Sequence, residues 1–235
     1  MKTMRLDKFL SECGLCTRSE SKVLLKKGAV TVNGEKILKG ETKIDPENDE
    51  IIFKGEKVGY SKFEYYMLHK PAGVVSATED KNDKTVIDLV PKPHAKDIFP
   101  VGRLDKDTEG LLIITNDGET AHRLLSPKKH VDKTYFVRTN GKVTEEDKEK
   151  FKVGVDIGEK DLTLPADLEI LKSGDISESL ITIREGKFHQ IKRMFKSVGK
   201  EVIYLKRLSM GNIKLDESLK KGQCRKLTEK EIKRL

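Results

Sequence analysis

Leu111-Leu112-Ile113-Ile114-Thr115 is a short apolar run set between two polar segments rich in glycine and carboxylate, Gly102–Gly110 and Asn116-Asp117-Gly118. It reads as a buried strand fed by a flexible loop and closed by a turn. Such a strand limits what the chain can become: it needs a sheet to lie in, and it gives the loop before it a rigid base. A loop carrying Arg103 and Asp105 on that base is a good platform for holding a carboxylate in a cleft. Further strands read at Tyr65–Leu68, Thr134–Arg138, Leu180–Arg184 and Val202–Lys206, and helices at Glu119–Leu125, Glu145–Phe151 behind Thr144, and Gln190–Val198. They lack the regular alternation of a doubly wound parallel sheet, so an α+β domain with a mixed or mostly antiparallel sheet is expected.

The first sixty residues read as a separate, smaller α+β unit. Arg5–Cys13 places Leu6, Phe9 and Leu10 on one side of a short helix, and Thr17-Arg18-Ser19-Glu20 opens a second with a capping-box pattern. Gly28 closes that helix, Asn33-Gly34 marks a hairpin between Ala29–Val32 and Glu35–Leu38, and Asp49–Phe53 supplies another strand. Gly55–Lys62 reads as a linker, dividing the chain into residues 1–58 and 59–235.

Charge is concentrated rather than spread. The net charge is +8. Residues 1–40 carry nine Lys/Arg against four Asp/Glu, and residues 184–214 carry nine against two. Two basic segments on an otherwise acidic background fit a polyanion touched in two places, nucleic acid rather than a membrane surface. Arg18, Lys22 and Lys26 recur every four residues on one helix face, with Arg5 close enough to widen the patch, a stripe able to follow a phosphate backbone. No signal peptide or membrane span is legible, and three cysteines make no disulfide framework, so a reducing cytoplasm is expected. Cys13 and Cys16 lack the second ligand pair of a structural zinc site and read as small residues in a helix-to-helix turn.

The acidic loop leaves three readings open. Asp105, Asp107 and Glu109 are solvated charges, or they gather a divalent cation at a spacing that matches no calcium loop, or one of them is a nucleophile or base kept ionised by a cation.

Arg5-Leu6-Asp7-Lys8-Phe9-Leu10, Thr17–Lys22 and Gly28–Lys36 together resemble the S4-like RNA-binding module. His69–Val74, Gly102–Gly118, Lys133-Thr134-Tyr135 and Glu185–Met194, in that order, are similar to the RsuA family of pseudouridine synthases, whose founding member modifies small-subunit ribosomal RNA. That resemblance implies a cofactor-free, metal-free isomerase of the pseudouridine synthase fold, acting as a monomer on ribosomal RNA. It implies Asp105 as the essential aspartate, Tyr135 as the ring against the target base, and Lys192 as the cation paired with the aspartate. It also implies Arg103 beside the flipped nucleotide, with His189, Gln190 and Arg193 near the RNA. The lysine in His189-Gln190-Ile191-Lys192-Arg193-Met194 replaces an arginine typical of related large-subunit enzymes and points to 16S rRNA. A 23S rRNA enzyme and a non-catalytic ribosome-assembly protein are the alternatives.

Overall fold

The computed structural model describes residues 3–58, 63–91, 97–126 and 129–235. Its backbone contacts divide the chain into two units, residues 1–64 with 92–98, and residues 65–91 with 99–235.

In the first unit β1 (Met4–Arg5) leads directly into α1 (Leu6–Glu12), followed by α2 (Arg18–Lys26) and the strands β2 (Val30–Val32), β3 (Glu35–Lys36), β4 (Lys43–Ile44), β5 (Ile51–Phe53) and β6 (Glu56–Lys57). The capping box forms as read: the Glu20 amide donates to the Thr17 hydroxyl while the Thr17 amide donates to the Glu20 carboxylate at 2.7 Å. Asn33 and Gly34 both take positive φ, the geometry a tight hairpin requires. The small sheet runs β3-β2-β5-β6, and β1 pairs separately with β4. Leu6, Phe9, Leu10, Leu25, Val30, Ile44 and Ile51 are sealed in its core. At roughly 1.5–3 kcal/mol for each large side chain, burial of this set is what holds so small a unit together. Cys13 is buried in that core and its thiol is pushed up to about 12 by desolvation, an inert packing residue. The expected linker is corrected at its start: Glu56–Lys57 pair with Ile52–Phe53 as a hairpin, and residues 59–62 lie outside the described residues.

The second unit contains β7 (Tyr65–Lys70), β8 (Phe99–Pro100), β9 (Glu109–Thr115), α3 (Gly118–Leu125), β10 (Lys133–Asn140), α4 (Glu145–Val153), β11 (Asp167–Lys172), β12 (Ile176–Ile183), α5 (Gln190–Ser197), β13 (Glu201–Met210), β14 (Ile213–Lys214), β15 (Cys224–Lys226) and α6 (Glu229–Ile232). Among the described residues one nine-stranded sheet runs β11-β12-β10-β13-β9-β7-β15, with β14 on β13 and β8 on β9. All its pairings are antiparallel except β9 with β13, so the sheet is mixed, as expected. Every residue of β9 is buried. Leu111 and Ile113 pack with Met67, Val101, Leu124 and Met210.

Gly110 makes the parallel pairing possible. Its φ is +106°, and a Cβ there would lie 2.2 Å from the Arg207 carbonyl oxygen, so no other residue fits without separating β9 from β13. At the far end of the chain, Arg225 clamps α6 to the sheet. It donates from both terminal nitrogens to Glu231 at 2.8 Å and from Nε to Asp216 at 2.7 Å.

Candidate active site

The loop from Gly102 to Thr108 joins β8 to β9, and its shape is dictated from inside. Lys70, the last residue of β7, is completely buried. Its ammonium lies within 3.2 Å of four main-chain carbonyls: Pro71 at 3.0 Å, Asp105 at 3.0 Å, Lys106 at 3.2 Å and Thr108 at 2.8 Å. An ammonium has three protons, so four acceptors share them and the loop closes around the charge. Burial pulls Lys70 down to about 8, against the pull of Asp107, Asp105 and Glu109. Ser76 fixes the other side of the loop, donating to the Leu104 carbonyl at 2.8 Å and accepting from the Leu104 amide at 3.0 Å.

Asp105 stands at the crest of this loop, partly exposed. Lys192 of α5 reaches its Oδ2 at 3.1 Å, and His189 Nε2 lies 3.6 Å from its Oδ1. Lys192 also grips Asp107, at 2.6 and 2.9 Å. One cation between two carboxylates has a clear electrostatic outcome. Partial burial works against the Lys192 charge, but its hydrogen bonds to Asp107 and Asp105 outweigh this and raise its pKa above the ordinary lysine value. Burial likewise raises Asp107, and Lys192 overrides it, leaving that carboxyl below the usual range.

The α5 start that presents Lys192 is built by Gln190 and His189. His189 adopts a left-handed φ of 48° and stacks on Phe188, with ring centroids 3.9 Å apart. Gln190 is buried; its Oε1 accepts from the Lys187 amide at 2.9 Å, and its Nε2 donates to Glu185 at 2.9 Å. It therefore braces the turn that was expected to lie near the RNA. Arg193, also expected near the RNA, binds Glu159 at 2.7 Å and the carbonyls of Phe188 and Ile157. Tyr135 is buried in β10, facing Ile181 of β12 and Arg207 of β13, and its phenol has no hydrogen bond among the described residues. Arg103 is exposed, without an ion pair among the described residues.

Two carboxylates of the acidic loop differ from each other. Asp107 is 72% exposed but bound to Lys192. Glu109 is buried, accepting from the Tyr204 phenol at 2.7 Å and from Lys221 at 2.9 Å. Among the described residues no group of three or more His, Cys, Asp or Glu side chains is placed to hold a metal ion. Residues that sequence reasoning passed over are Lys70 and Phe188. Lys70 had a signal, a lysine ending an apolar strand. Phe188 is 74% exposed beside His189, and only its charged surroundings hinted at that.

In the first unit, Arg18, Lys22 and Lys26 project from α2 into solvent without ion pairs among the described residues. Arg5 is bound to Asp7 at 2.7 Å.

The chain can now be set beside known proteins. A family model described as RNA pseudouridylate synthase matches residues 64–197, and one described as the S4 domain matches residues 4–51. A Bacillus subtilis protein described as uncharacterized RNA pseudouridine synthase YtzG is 49% identical, with 97% of each chain covered. The ribosomal small subunit pseudouridine synthase A of Vibrio cholerae is 43% identical and that of Escherichia coli 39%, each over 97% of this chain and 98% of theirs. A crystal structure of a pseudouridylate synthase, 40% identical, superposes with a TM-score of 0.69 over 98% of this chain and 99% of its own. With an S4 domain at its N-terminus and the paired Asp105–Lys192 loop in its larger unit, the chain belongs to the RNA pseudouridylate synthase family.

Proposed function

We propose that this protein isomerises one uridine of small-subunit, 16S ribosomal RNA to pseudouridine, with residues 59–235 carrying the chemistry and residues 1–58 anchoring the RNA. The observation that carries the reading is the Asp105 carboxylate, held by Lys192 at 3.1 Å on a loop immobilised by a buried lysine. The reaction breaks the bond from C1′ to N1, turns the uracil and forms the bond from C1′ to C5. The C5 proton leaves, N1 gains one, and nothing is added overall. A carboxylate held in place beside the Lys192 ammonium suits either role the first step requires, nucleophile at an electron-poor C1′ or base toward a ribose proton.

The remaining roles belong to the same reading. Tyr135 supplies an aromatic wall for the uracil, and His189 with Arg103 meets the sugar–phosphate around it. A uridine in a structured RNA must leave its stack to reach Asp105, at a cost of roughly a few kcal/mol that the basic surface offsets. Arg18, Lys22 and Lys26, free and on one face, hold phosphates. Among the described residues no helix is long and apolar enough to cross a membrane, and a monomer working on ribosomal RNA in the cytoplasm accords with this reading.

Pseudouridine mapping of 16S and 23S rRNA from cells with and without the protein tests the proposal. One 16S position that loses its pseudouridine on deletion, and regains it with wild-type but not with Asp105→Asn, is the expected result. A lost position in 23S rRNA, or no lost position, would overturn the substrate.

A further inference from the structure

β10 alternates strictly between two environments. Tyr135 and Val137 are buried on one face of the sheet, while Phe136 and Arg138 point to the other. β13 does the same across the ladder: Leu205 and Arg207 are buried, and Tyr204, Lys206 and Leu208 stand half open. The face away from Tyr135 therefore carries an open groove of about 400 Å³, lined by Phe136, Arg138, Tyr204, Lys206, Leu208 and Lys221.

Its chemistry is specific. Phe136 and Tyr204 meet edge to face, centroids 6.1 Å apart and planes at 64°, which leaves ring surface for a third planar group. The Arg138 guanidinium lies over both rings, 5.5 Å from one and 5.7 Å from the other. Tyr204 cannot swing away, because its phenol donates to buried Glu109, which Lys221 neutralises. Burial and then Glu109 push that phenol up to about 12, so it remains a donor. The carboxylates next to the groove are thus already matched, Glu109 by Lys221 and Glu178 by Arg138. Lys206 is left over: among the described residues its side chain has no ion pair or hydrogen bond, although it sits mid-strand on β13, two residues from Tyr204 and directly opposite Phe136.

We infer that this groove is a second RNA contact, separate from the catalytic cleft, which takes one unpaired nucleotide. The base stacks on Phe136 and Tyr204 beside the Arg138 plane, and its phosphate meets Lys206. Aromatic rings interleaved with cations are what a strand of RNA needs to bind without sequence preference. An acidic peptide would use the cations but gain little from the rings. The segment that supplies Lys192 to the catalytic loop also supplies Lys206 here, so one basic stretch serves both faces of the sheet.

The test uses the full-length protein with a fluorescent oligouridylate and with a small-subunit rRNA transcript, compared across salt concentrations. Lys206→Glu is expected to weaken oligouridylate binding roughly ten-fold and to lower the salt slope by about 0.7, the value for one phosphate on a single strand. Phe136→Leu keeps apolar volume but removes the stack, and is expected to weaken binding roughly five-fold with the slope unchanged. Lys230→Glu on α6, an exposed position, makes the same charge change elsewhere and is expected to leave both quantities as in wild type. Photocrosslinks from the oligouridylate are expected in the peptides holding Phe136 and Tyr204. Thermal melting of each variant checks folding. The groove is not an RNA site if Lys206→Glu and Phe136→Leu, both folded, bind as wild type does. Equal weakening by Lys230→Glu, or competition by polyglutamate but not by oligouridylate, would overturn it too. Because binding of oligouridylate is read without turnover, this outcome stands apart from whether the rRNA substrate is correct.

Discussion

Lys70 holds Asp105 by its backbone while Lys192 holds it by its side chain: one ammonium lies 3.0 Å from the Asp105 carbonyl and the other 3.1 Å from its carboxylate. The two cations come from opposite ends of the unit, β7 and α5, so the aspartate is located from both sides by charges with different work to do. The inner one shapes the loop. The outer one aims the carboxylate.

Asp105→Asn is expected to abolish pseudouridine formation, a loss of at least roughly 10⁴-fold, because the near-isosteric amide cannot act as nucleophile or base. Asp107→Asn releases Lys192 to Asp105 alone, so its rate is expected to stay within about ten-fold of wild type. Single-turnover modification of an rRNA transcript measures both. Equal losses in the two variants would mean that the pair acts as one unit.

The alkaline limb of the rate should report Lys70. As the pH rises through about 8 its ammonium loses a proton, leaving two N–H donors for four carbonyls. The single-turnover rate is expected to fall with a midpoint near that value. Stability should move the other way. The folded pKa lies below the unfolded one, so between about 8 and 10.5 the unfolded chain holds the extra proton and the burial penalty of this group lessens. A rate that stays flat through pH 8, with urea midpoints also flat, would show that the loop does not depend on this charge.

Replacing Arg18, Lys22 and Lys26 together by alanine should weaken rRNA binding and lower its salt slope by about 2–3, the slope expected for three phosphates on duplex RNA-like backbones. The three side chains are exposed, so the melting temperature should stay put. Filter binding across a salt series checks it. An unchanged slope would show that α2 does not touch phosphate.

Arg225→Ala should cost about 2 kcal/mol at neutral pH, since three charge-assisted hydrogen bonds to Glu231 and Asp216 are lost. Glu231 is held at about 2 chiefly by Arg225. Its contribution is therefore present above the unfolded value of 4.5 and fades as the pH falls toward 2. Urea denaturation of both proteins at neutral and acid pH should show the gap between them closing. A gap that persists at pH 2 would mean that packing, not the ion pairs, holds α6.

Much of the fold was legible wherever a local signal was strong. Thr17 with Glu20, Asn33 with Gly34, and the apolar run of β9 each announced an element that formed. The edge strands β11 and β15 did not, because an edge needs no buried alternation: in β11 only Leu168 is sealed, and β15 is Cys-Arg-Lys. The pairing of Asp105 with Lys192 was an expectation from resemblance alone, since they lie 87 residues apart in sequence. Glu109 was not legible as a buried group. Its partners Tyr204 and Lys221 lie 95 and 112 residues further along, and nothing near Glu109 in sequence points to them.

The parallel pairing at Gly110 sets a timetable for synthesis. β9 emerges from the ribosome early, yet its neighbour β13 follows only after residue 200, and the cation that aims Asp105 lies on α5 just before it. Contacts this distant in sequence form slowly and late. A nascent chain that ends before β13 has its aspartate but neither the strand that supports it nor the close approach Gly110 exists to permit. Such a chain cannot begin modifying RNA while it is still being made, because its site is complete only once β13 has been added.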